Sequence, residues 1–107
     1  MTTQRIRELN DLLRTTGLGG QVFLTAGICA LPEAEQAAIQ EKVQTFDDFT
    51  EDNDPHGEHD FGAFELGGEK VFWKIDYYNR TMDAGSEDPA DPARTRRVLT
   101  ILLAEEY

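Results

Sequence analysis

The chain contains a single cysteine, Cys29, among its 107 residues, so no internal disulfide can form. Such a composition is typical of a reducing compartment, and we expect a cytoplasmic protein in which Cys29 packs as a small buried hydrophobe. Long hydrophobic runs are also missing, because no segment approaches the roughly 20 apolar residues that a membrane helix needs. We therefore expect no membrane partner.

Positive charge is scarce, with 10 Lys and Arg residues against 21 Asp and Glu residues and a formal net charge of −11. Nucleic acids and anionic membranes are themselves negative, so direct binding to either is disfavoured. The charge favours a basic protein partner, a bound cation or simple solubility. We expect the arginines of the segment Arg94–Arg97 to balance nearby carboxylates rather than to bind a phosphate.

The motifs of several enzyme and metal-binding classes are absent. Gly17–Gly20 lacks the Lys and Ser/Thr of a phosphate-binding loop and precedes a predicted strand instead of a helix. The segment that starts at Asp52 begins like an EF-hand calcium loop, but its fifth position is His56 and its twelfth is Ala63 instead of a bidentate Glu. No serine lies in a nucleophile elbow, and no catalytic residue is predicted.

Periodicity predicts two helices and a strand in the first half of the chain. A helix is expected over residues 3–16, with Thr3 as N-cap and an apolar face of Ile6, Leu9, Leu12 and Leu13. Gln21–Thr25 is predicted as a short buried strand. A second helix is expected from Pro32, which suits a first helical position, to about Thr45.

The second half of the chain predicts strands. Phe61–Leu66 and Glu69–Tyr78 form a hairpin through Gly67-Gly68, with Val71, Trp73, Ile75 and Tyr77 on the core face. Arg96–Glu105 is apolar on both alternating faces, which favours a central strand, with a helix as the alternative. These elements predict one α+β domain over residues 1–107, in the order α-β-α-β-β-β. We expect a largely antiparallel sheet of about four strands with two helices packed on one face.

The loop between the predicted second helix and the hairpin holds the only two histidines of the chain. Imidazole and carboxylate groups together suit zinc, manganese or iron. A divalent metal is therefore one hypothesis for this loop, with no other cofactor expected and with these candidate ligands: His56, His59, Asp54, Glu58 and Asp60. The alternatives are a purely architectural loop, in which Asp side chains bind backbone amides, and acid–base catalysis by the histidines.

A second set of residues is expected to bind a basic partner. Its members are carboxylates of the two long predicted loops: Asp47, Asp48, Glu51 and Asp52 in the first, and Asp83, Glu87, Asp88 and Asp91 in the second. Long loops of compact domains are usually functional or disordered. The leading hypothesis is a non-enzymatic binding protein, and the alternative is a metal-dependent enzyme or metal-binding protein that uses His56 and His59.

Several segments taken together resemble a known family. They are Leu24–Gly27, Phe46–Phe49, Asn53–Gly62, Phe72–Tyr78 and the run from Val98 to Tyr107. In these segments the chain is similar to the bacterial DUF3768 family, found in alphaproteobacteria and in their plasmids and phages. The resemblance implies no settled activity. It implies a setting on mobile elements, where small acidic proteins sometimes inhibit host nucleases by imitating the charge of DNA.

Overall fold

In the computed structural model, which describes residues 2–107, the chain forms three α-helices and four β-strands. The helices are α1 (Thr2–Thr16), α2 (Ala26–Cys29) and α3 (Glu33–Gln44). The strands are β1 (Gln21–Leu24), β2 (Phe61–Leu66), β3 (Glu69–Tyr78) and β4 (Arg96–Leu103), followed by a 3₁₀ turn at Ala104–Glu106. None of these helices is long and apolar enough to cross a membrane. Met1, part of the predicted domain, lies outside the described residues.

The four strands form one mixed sheet in the order β1-β4-β3-β2. The β2–β3 and β3–β4 pairs are antiparallel, whereas β1 runs parallel to β4, with Gln21 opposite Val98. The predicted mixture of helices with a four-stranded sheet is confirmed, but the sheet is not purely antiparallel. The reason is that β1 pairs with the strand farthest from it along the chain rather than with a neighbour in a hairpin. The prediction that the first strand is buried is wrong, because β1 is an edge strand in which Phe23 is 52% exposed.

The central position of β4 confirms the strand interpretation of this segment and shows that the helical alternative is wrong. β4 lies between β1 and β3, and residues from both of its faces are buried, including Val98 and Leu102 on one and Leu99 and Ile101 on the other. The strand ends at Leu103, earlier than predicted, because the chain turns there into the 3₁₀ segment.

The core lies on one face of the sheet. Val71, Trp73 and Ile75 of β3 stand opposite Leu103, Ile101 and Leu99 of β4, and all six are buried. Leu13 of α1, Ile28 of α2 and both Ile39 and Val43 of α3 join the same cluster. The predicted core face of β3 is therefore confirmed, with Tyr77 partly buried at its end.

The short helix α2 was not predicted, since the sequence around Ala26-Gly27 reads as the end of a strand. A contact from the far end of the chain accompanies its start: Glu106 accepts hydrogen bonds from the Gly27 N–H at 2.9 Å and the Thr25 hydroxyl at 2.6 Å. Because α2 turns Ile28 inward, Cys29 at its end is exposed. The expectation that Cys29 is buried is wrong.

The boundaries and buried face of the other helices also differ from prediction. Thr3 lies inside α1 rather than at its N-cap, and Pro32 is the N-cap of α3 rather than its first residue. On α1 the buried residues are Ile6, Asn10, Leu13 and Arg14. Leu12, predicted on the apolar face, is 41% exposed. Two polar side chains thus occupy core positions, and they lead directly to the acidic loop.

Gly62 of β2 permits Phe46 and Trp73 to pack closely in the core. A methyl group at this position would overlap the Trp73 indole nitrogen and lie 2.7 Å from Cζ of Phe46. Phe46 and Trp73 themselves pack edge to face with 5.5 Å between ring centroids. Trp73 is fully buried, so its ring has no room to withdraw.

Gly62→Ala should therefore lower the free energy of unfolding by about 2 kcal/mol or more, because overpacking forces the rings and the backbone apart. The measurement is urea-induced unfolding followed by Trp73 fluorescence. Gly85→Ala is the matched control, since its nearest heavy atom would be 3.8 Å away. Its unfolding free energy should change by less than about 1 kcal/mol. Equal midpoints for the two variants would contradict this account of the core.

Candidate functional site

Residues 47–60, which we call the acidic loop, are organised around the buried carboxylate of Asp54. Asp54 is 8% exposed, and its Oδ1 accepts hydrogen bonds from the Glu58 N–H at 3.0 Å and the His59 N–H at 3.1 Å. This is an Asp side chain stabilising a turn through backbone amides. Oδ1 of Asp54 is therefore occupied by amides of the loop itself.

Three side chains of α1 bind the second half of the acidic loop. Arg7 Nη1 donates to the Gly57 carbonyl at 3.1 Å, and Asn10 Nδ2 donates to the Glu58 carbonyl at 3.0 Å. Asp11 Oδ1 lies 2.9 Å from His59 Nδ1. Since a carboxylate only accepts hydrogen bonds, His59 Nδ1 carries the proton. Consecutive loop residues are thus fixed to one helix.

His59 has a strained backbone that its contacts maintain. Its φ angle is 55°, in the left-handed region that costs a non-glycine residue about 1 kcal/mol or more. The ring stacks on Phe49 with centroids 3.7 Å apart and planes 4° from parallel. His59 Nε2 lies 3.8 Å from Asp54 Oδ2, too far for a hydrogen bond. His59 is therefore held in one conformation and connects the acidic loop to α1.

A buried polar network continues from the loop into the sheet. Asn10 is completely buried and, besides its bond to the loop, donates to the Tyr77 hydroxyl at 2.8 Å. Its Oδ1 accepts from Arg97 Nε at 2.6 Å. The Tyr77 hydroxyl donates to Glu58 Oε1 at 2.8 Å. Burial, followed by the bond to Glu58, raises the pKa of Tyr77, so that the phenol stays protonated and remains a donor.

Arg14 connects the same region to α3. It is 6% exposed, and its Nη1 donates to the carbonyls of Val43 at 3.0 Å, Gln44 at 3.2 Å and Phe46 at 3.0 Å. The Val43 and Gln44 carbonyls lie in the last turn of α3, where carbonyls carry partial negative charge, and Val43 also accepts the Phe46 N–H at 3.3 Å. Nη2 donates to Asp11 Oδ1 at 3.0 Å. Oδ1 of Asp11 therefore accepts hydrogen bonds from both Arg14 and His59.

The candidate metal ligands do not converge as a set. Asp54 and His59 have the contacts described above, Glu58 binds Tyr77, and His56 is exposed. Asp60 is half-buried, and desolvation, followed by the charge of Glu58, raises the pKa of its carboxyl above the ordinary 3.8. Within residues 2–107 no three His, Cys, Asp or Glu side chains are grouped so that they could hold a metal ion. The metal hypothesis stays a prediction.

The first set of partner-binding carboxylates is presented to solvent. All of its members are exposed: Asp47, Asp48, Glu51 and Asp52. Their side chains make no hydrogen bond or ion pair within the described part of the chain, although the backbone between them is ordered by bonds such as Thr50 N–H to Asn53 Oδ1 at 2.8 Å. They are therefore free to pair with external cations.

The second set of predicted partner-binding carboxylates, in the loop between β3 and β4, makes mostly local contacts. Asp83 accepts from Asn79 Nδ2 at 2.7 Å and from the Thr81 hydroxyl at 2.8 Å, which lowers the pKa of its carboxyl. Glu87 pairs with Arg94 at 3.0 Å. Asp88 and Asp91 accept from backbone amides within their own turns. These four side chains stabilise the loop between β3 and β4.

The arginine cluster Arg94–Arg97 is divided by the fold. Arg94 makes an ion pair with Glu87, as expected of a balancing charge, whereas Arg97 is 2% exposed and bonds to Asn10 and the Pro89 carbonyl. Arg96 is exposed and pairs with no carboxylate in residues 2–107. The expectation that all three arginines balance carboxylates is therefore confirmed only for Arg94 and is wrong for Arg96 and Arg97.

Sequence reasoning missed the α1 and sheet residues that hold the acidic loop: Arg7, Asn10, Asp11, Arg14, Tyr77 and Arg97. One signal was present. Asn10 and Arg14 stand at helical spacing from Ile6 and Leu13, on the face that packs inward. Polar residues on such a face need buried partners, and these partners turn out to be the loop, the sheet and the end of α3.

Comparison with known proteins identifies a family for this chain. A family model described as "Protein of unknown function (DUF3768)" matches residues 24–106. The chain belongs to the DUF3768 family. The match includes the whole acidic loop and all four strands except the first residues of β1. No curated protein and no solved structure matches the chain.

Removal of the Asn10 side-chain amide from this DUF3768 protein should increase the mobility of the acidic loop. Asn10→Ala leaves Arg97 Nε and the Glu58 carbonyl without their partner, which should cost about 3 kcal/mol of unfolding free energy. Hydrogen exchange of the Glu58 and His59 amides should accelerate. In Gln4→Ala, the control, only an exposed 3.4 Å contact to Glu8 is lost, and a change below about 0.5 kcal/mol is expected. Equal stability of the two variants would refute the role of Asn10.

Asp60 should make the stability of the DUF3768 protein depend on pH. Its pKa is raised in the folded state, so folding favours the protonated carboxyl and the ionised form is destabilising. Asp60→Asn should therefore unfold at higher urea than the wild type at pH 7. The difference should shrink as pH falls through the raised pKa and be absent below the unfolded value near 3.8. A difference that is independent of pH would contradict the desolvation of Asp60.

Proposed function

We propose that this protein is a non-enzymatic binding protein that presents the acidic loop to a basic surface of another protein. The observation that carries the proposal is the state of Asp47, Asp48, Glu51 and Asp52, which are all exposed and have no pairing partner within residues 2–107. Carboxylates that stabilised the fold would have such partners, as Asp54 and Asp83 do.

The loop backbone supports this role because it is fixed before a partner arrives. Phe49 packs against Phe46 with centroids 5.1 Å apart and stacks on His59. The Asn53 side chain bonds both to Thr50 and to the Asp48 carbonyl, the latter at 2.8 Å. A pre-organised surface loses little conformational entropy on binding, so its charges contribute more to affinity.

The charge distribution favours the same conclusion. Two of the 10 basic residues, Arg14 and Arg97, are buried, so the surface is more negative than the formal net charge of −11 suggests. Such a field accelerates encounters with a basic partner and opposes binding to acidic ones.

The partner class that we propose is a nucleic-acid-handling protein of the host, for which this protein acts as an inhibitor or accessory factor encoded on a mobile element. Surfaces that bind phosphate backbones are rich in Lys and Arg, and they are the commonest basic surfaces that a cell offers to a rigid row of carboxylates. Binding of the acidic loop to such a surface would compete with the nucleic acid.

Capture of basic proteins from a host lysate tests the proposal. The wild type is compared with a loop variant in which Asp47→Asn, Asp48→Asn, Glu51→Gln and Asp52→Asn are combined. The control has the same net charge and carries changes at other exposed carboxylates: Glu33→Gln, Glu41→Gln, Glu65→Gln and Glu105→Gln. Wild type and control should capture the same basic protein, and the loop variant should lose it.

Salt and DNA competition complete the test. The captured protein should be released between about 0.1 M and about 1 M salt, where the Debye length falls from about 10 Å to about 3 Å. Duplex DNA should also displace it. Equal capture by the loop variant and the control, or capture that DNA leaves intact, would contradict the proposed surface and the proposed partner class respectively.

A further inference from the structure

A cleft that no acidic-loop residue lines combines several cationic groups. It has a volume of about 280 Å³ and lies between the turn that precedes β1 and the start of β4. Gly19 and Gly20 line it from the turn, and Arg80, Arg96 and Arg97 line it from β4 and the loop before it. Three arginines thus contribute to the lining of one cavity, with Arg96 and Arg97, neighbours in β4, on opposite faces of the sheet.

Two of these arginines are free of carboxylates. Arg80 and Arg96 are both exposed, and neither makes an ion pair or side-chain hydrogen bond within residues 2–107. Other exposed cations, such as Lys42 and Lys70, also make no ion pair within residues 2–107. What distinguishes this cleft is that two unpaired arginines line the same cavity.

Arg97 adds a buried cation with an unused donor. It is 2% exposed, its Nε binds Asn10 Oδ1 and its Nη2 binds the Pro89 carbonyl. Nη1 makes no hydrogen bond among the described residues, and no carboxylate lies within ion-pair distance of the guanidinium. Burial lowers the pKa of Arg97, which shows the cost of holding this charge away from water. An anion in the cleft would offset that cost.

The backbone supplies further donors at the opposite wall. Gly19 has a φ angle of 87°, and the amides of Gly19 and Gly20 donate to no acceptor within residues 2–107. Gly20 packs so closely on the Arg97 carbonyl that a side chain there would overlap it. The turn therefore stays directly against β4, with its amides at the edge of the cleft.

We propose that this cleft binds a phosphate group, either as inorganic phosphate or as the phosphomonoester of a small metabolite. The guanidinium fork matches phosphate oxygens in a bidentate manner, and free backbone amides complete such sites. Several donors from two walls suit the three terminal oxygens of a phosphoryl group better than the two of a carboxylate. The net charge of the protein repels anions at long range, so binding depends on these local contacts.

Calorimetric titration with inorganic phosphate at constant ionic strength tests the site, together with amide chemical shifts of Gly19 and Gly20. Saturable binding and shifts at these two amides are expected. Arg80→Ala combined with Arg96→Ala should weaken binding at least about tenfold, since hydrogen bonds to charged groups are lost. Lys42→Ala combined with Lys70→Ala is the control of equal charge, because both lysines are exposed and lie outside the cleft. It should bind as the wild type does.

Titrations with two other ligands, acetate and a nucleoside monophosphate, identify the chemical class that the cleft binds. Acetate at the same ionic strength should not compete, and acetate binding as strong as that of phosphate would overturn the assignment. A nucleoside monophosphate that binds more tightly than phosphate would identify a phosphomonoester as the source, whereas equal affinity would identify inorganic phosphate. No saturable binding, or equal weakening in the arginine and lysine variants, would overturn the proposal. The acidic loop lies outside this cleft, so either result leaves the capture test unaffected.

Discussion

The buried guanidinium of Arg14 is the interaction on which the rest of the structure depends. It binds three carbonyls at the end of α3 and lies above two aromatic rings, with its Cζ 5.4 Å from the Phe49 centroid and 5.5 Å from that of Trp73. A buried charge is costly unless its donors are bonded, and here the end of α3 and Asp11 supply acceptors for Nη1 and Nη2, whereas the buried Nε has no partner within residues 2–107. α1, α3, the acidic loop and the sheet therefore meet at one cation.

This arrangement makes α1 the support of the acidic loop rather than a simple cover for the sheet. Arg7, Asn10, Asp11 and Arg14 recur along the helix, and each binds the loop or the end of α3 that leads into it. Within the loop their bonds go to the carbonyls of Gly57 and Glu58 and to Nδ1 of His59. The carboxylates that remain, at the outer tip, are left for an external partner.

The sequence predicted best where a pattern is local. The bounds of β2 and β3 are correct because alternating residues and the Gly67-Gly68 turn act over short distances, and β4 was recognised because both of its faces are apolar. The pairing of β1 with β4, the helix α2 and the exposure of Cys29 depend on contacts between distant segments, such as Glu106 with Gly27. No local pattern encodes these.

In the candidate site, too, local features could be predicted from the sequence and contacts between distant segments could not. The acidic loop and its exposed carboxylates could be located from composition alone. The attachment of His59 to Asp11 depends on how α1 lies across the loop, and nothing in the loop sequence specifies it. The unpaired state of Arg96 likewise depends on which carboxylates fold close to it, since Asp76 binds Lys74 instead.

The position of β4 at the centre of the sheet constrains when the protein can fold during translation. β1 pairs only with β4, although Gln21 and its partner Val98 are far apart in the chain. Until residues 96–103 have left the ribosome, the nascent chain holds an unpaired strand and a hairpin, and a lone hairpin is marginally stable at best. Premature termination before this point would release a polypeptide without the four-stranded sheet, exposed to chaperones and proteases.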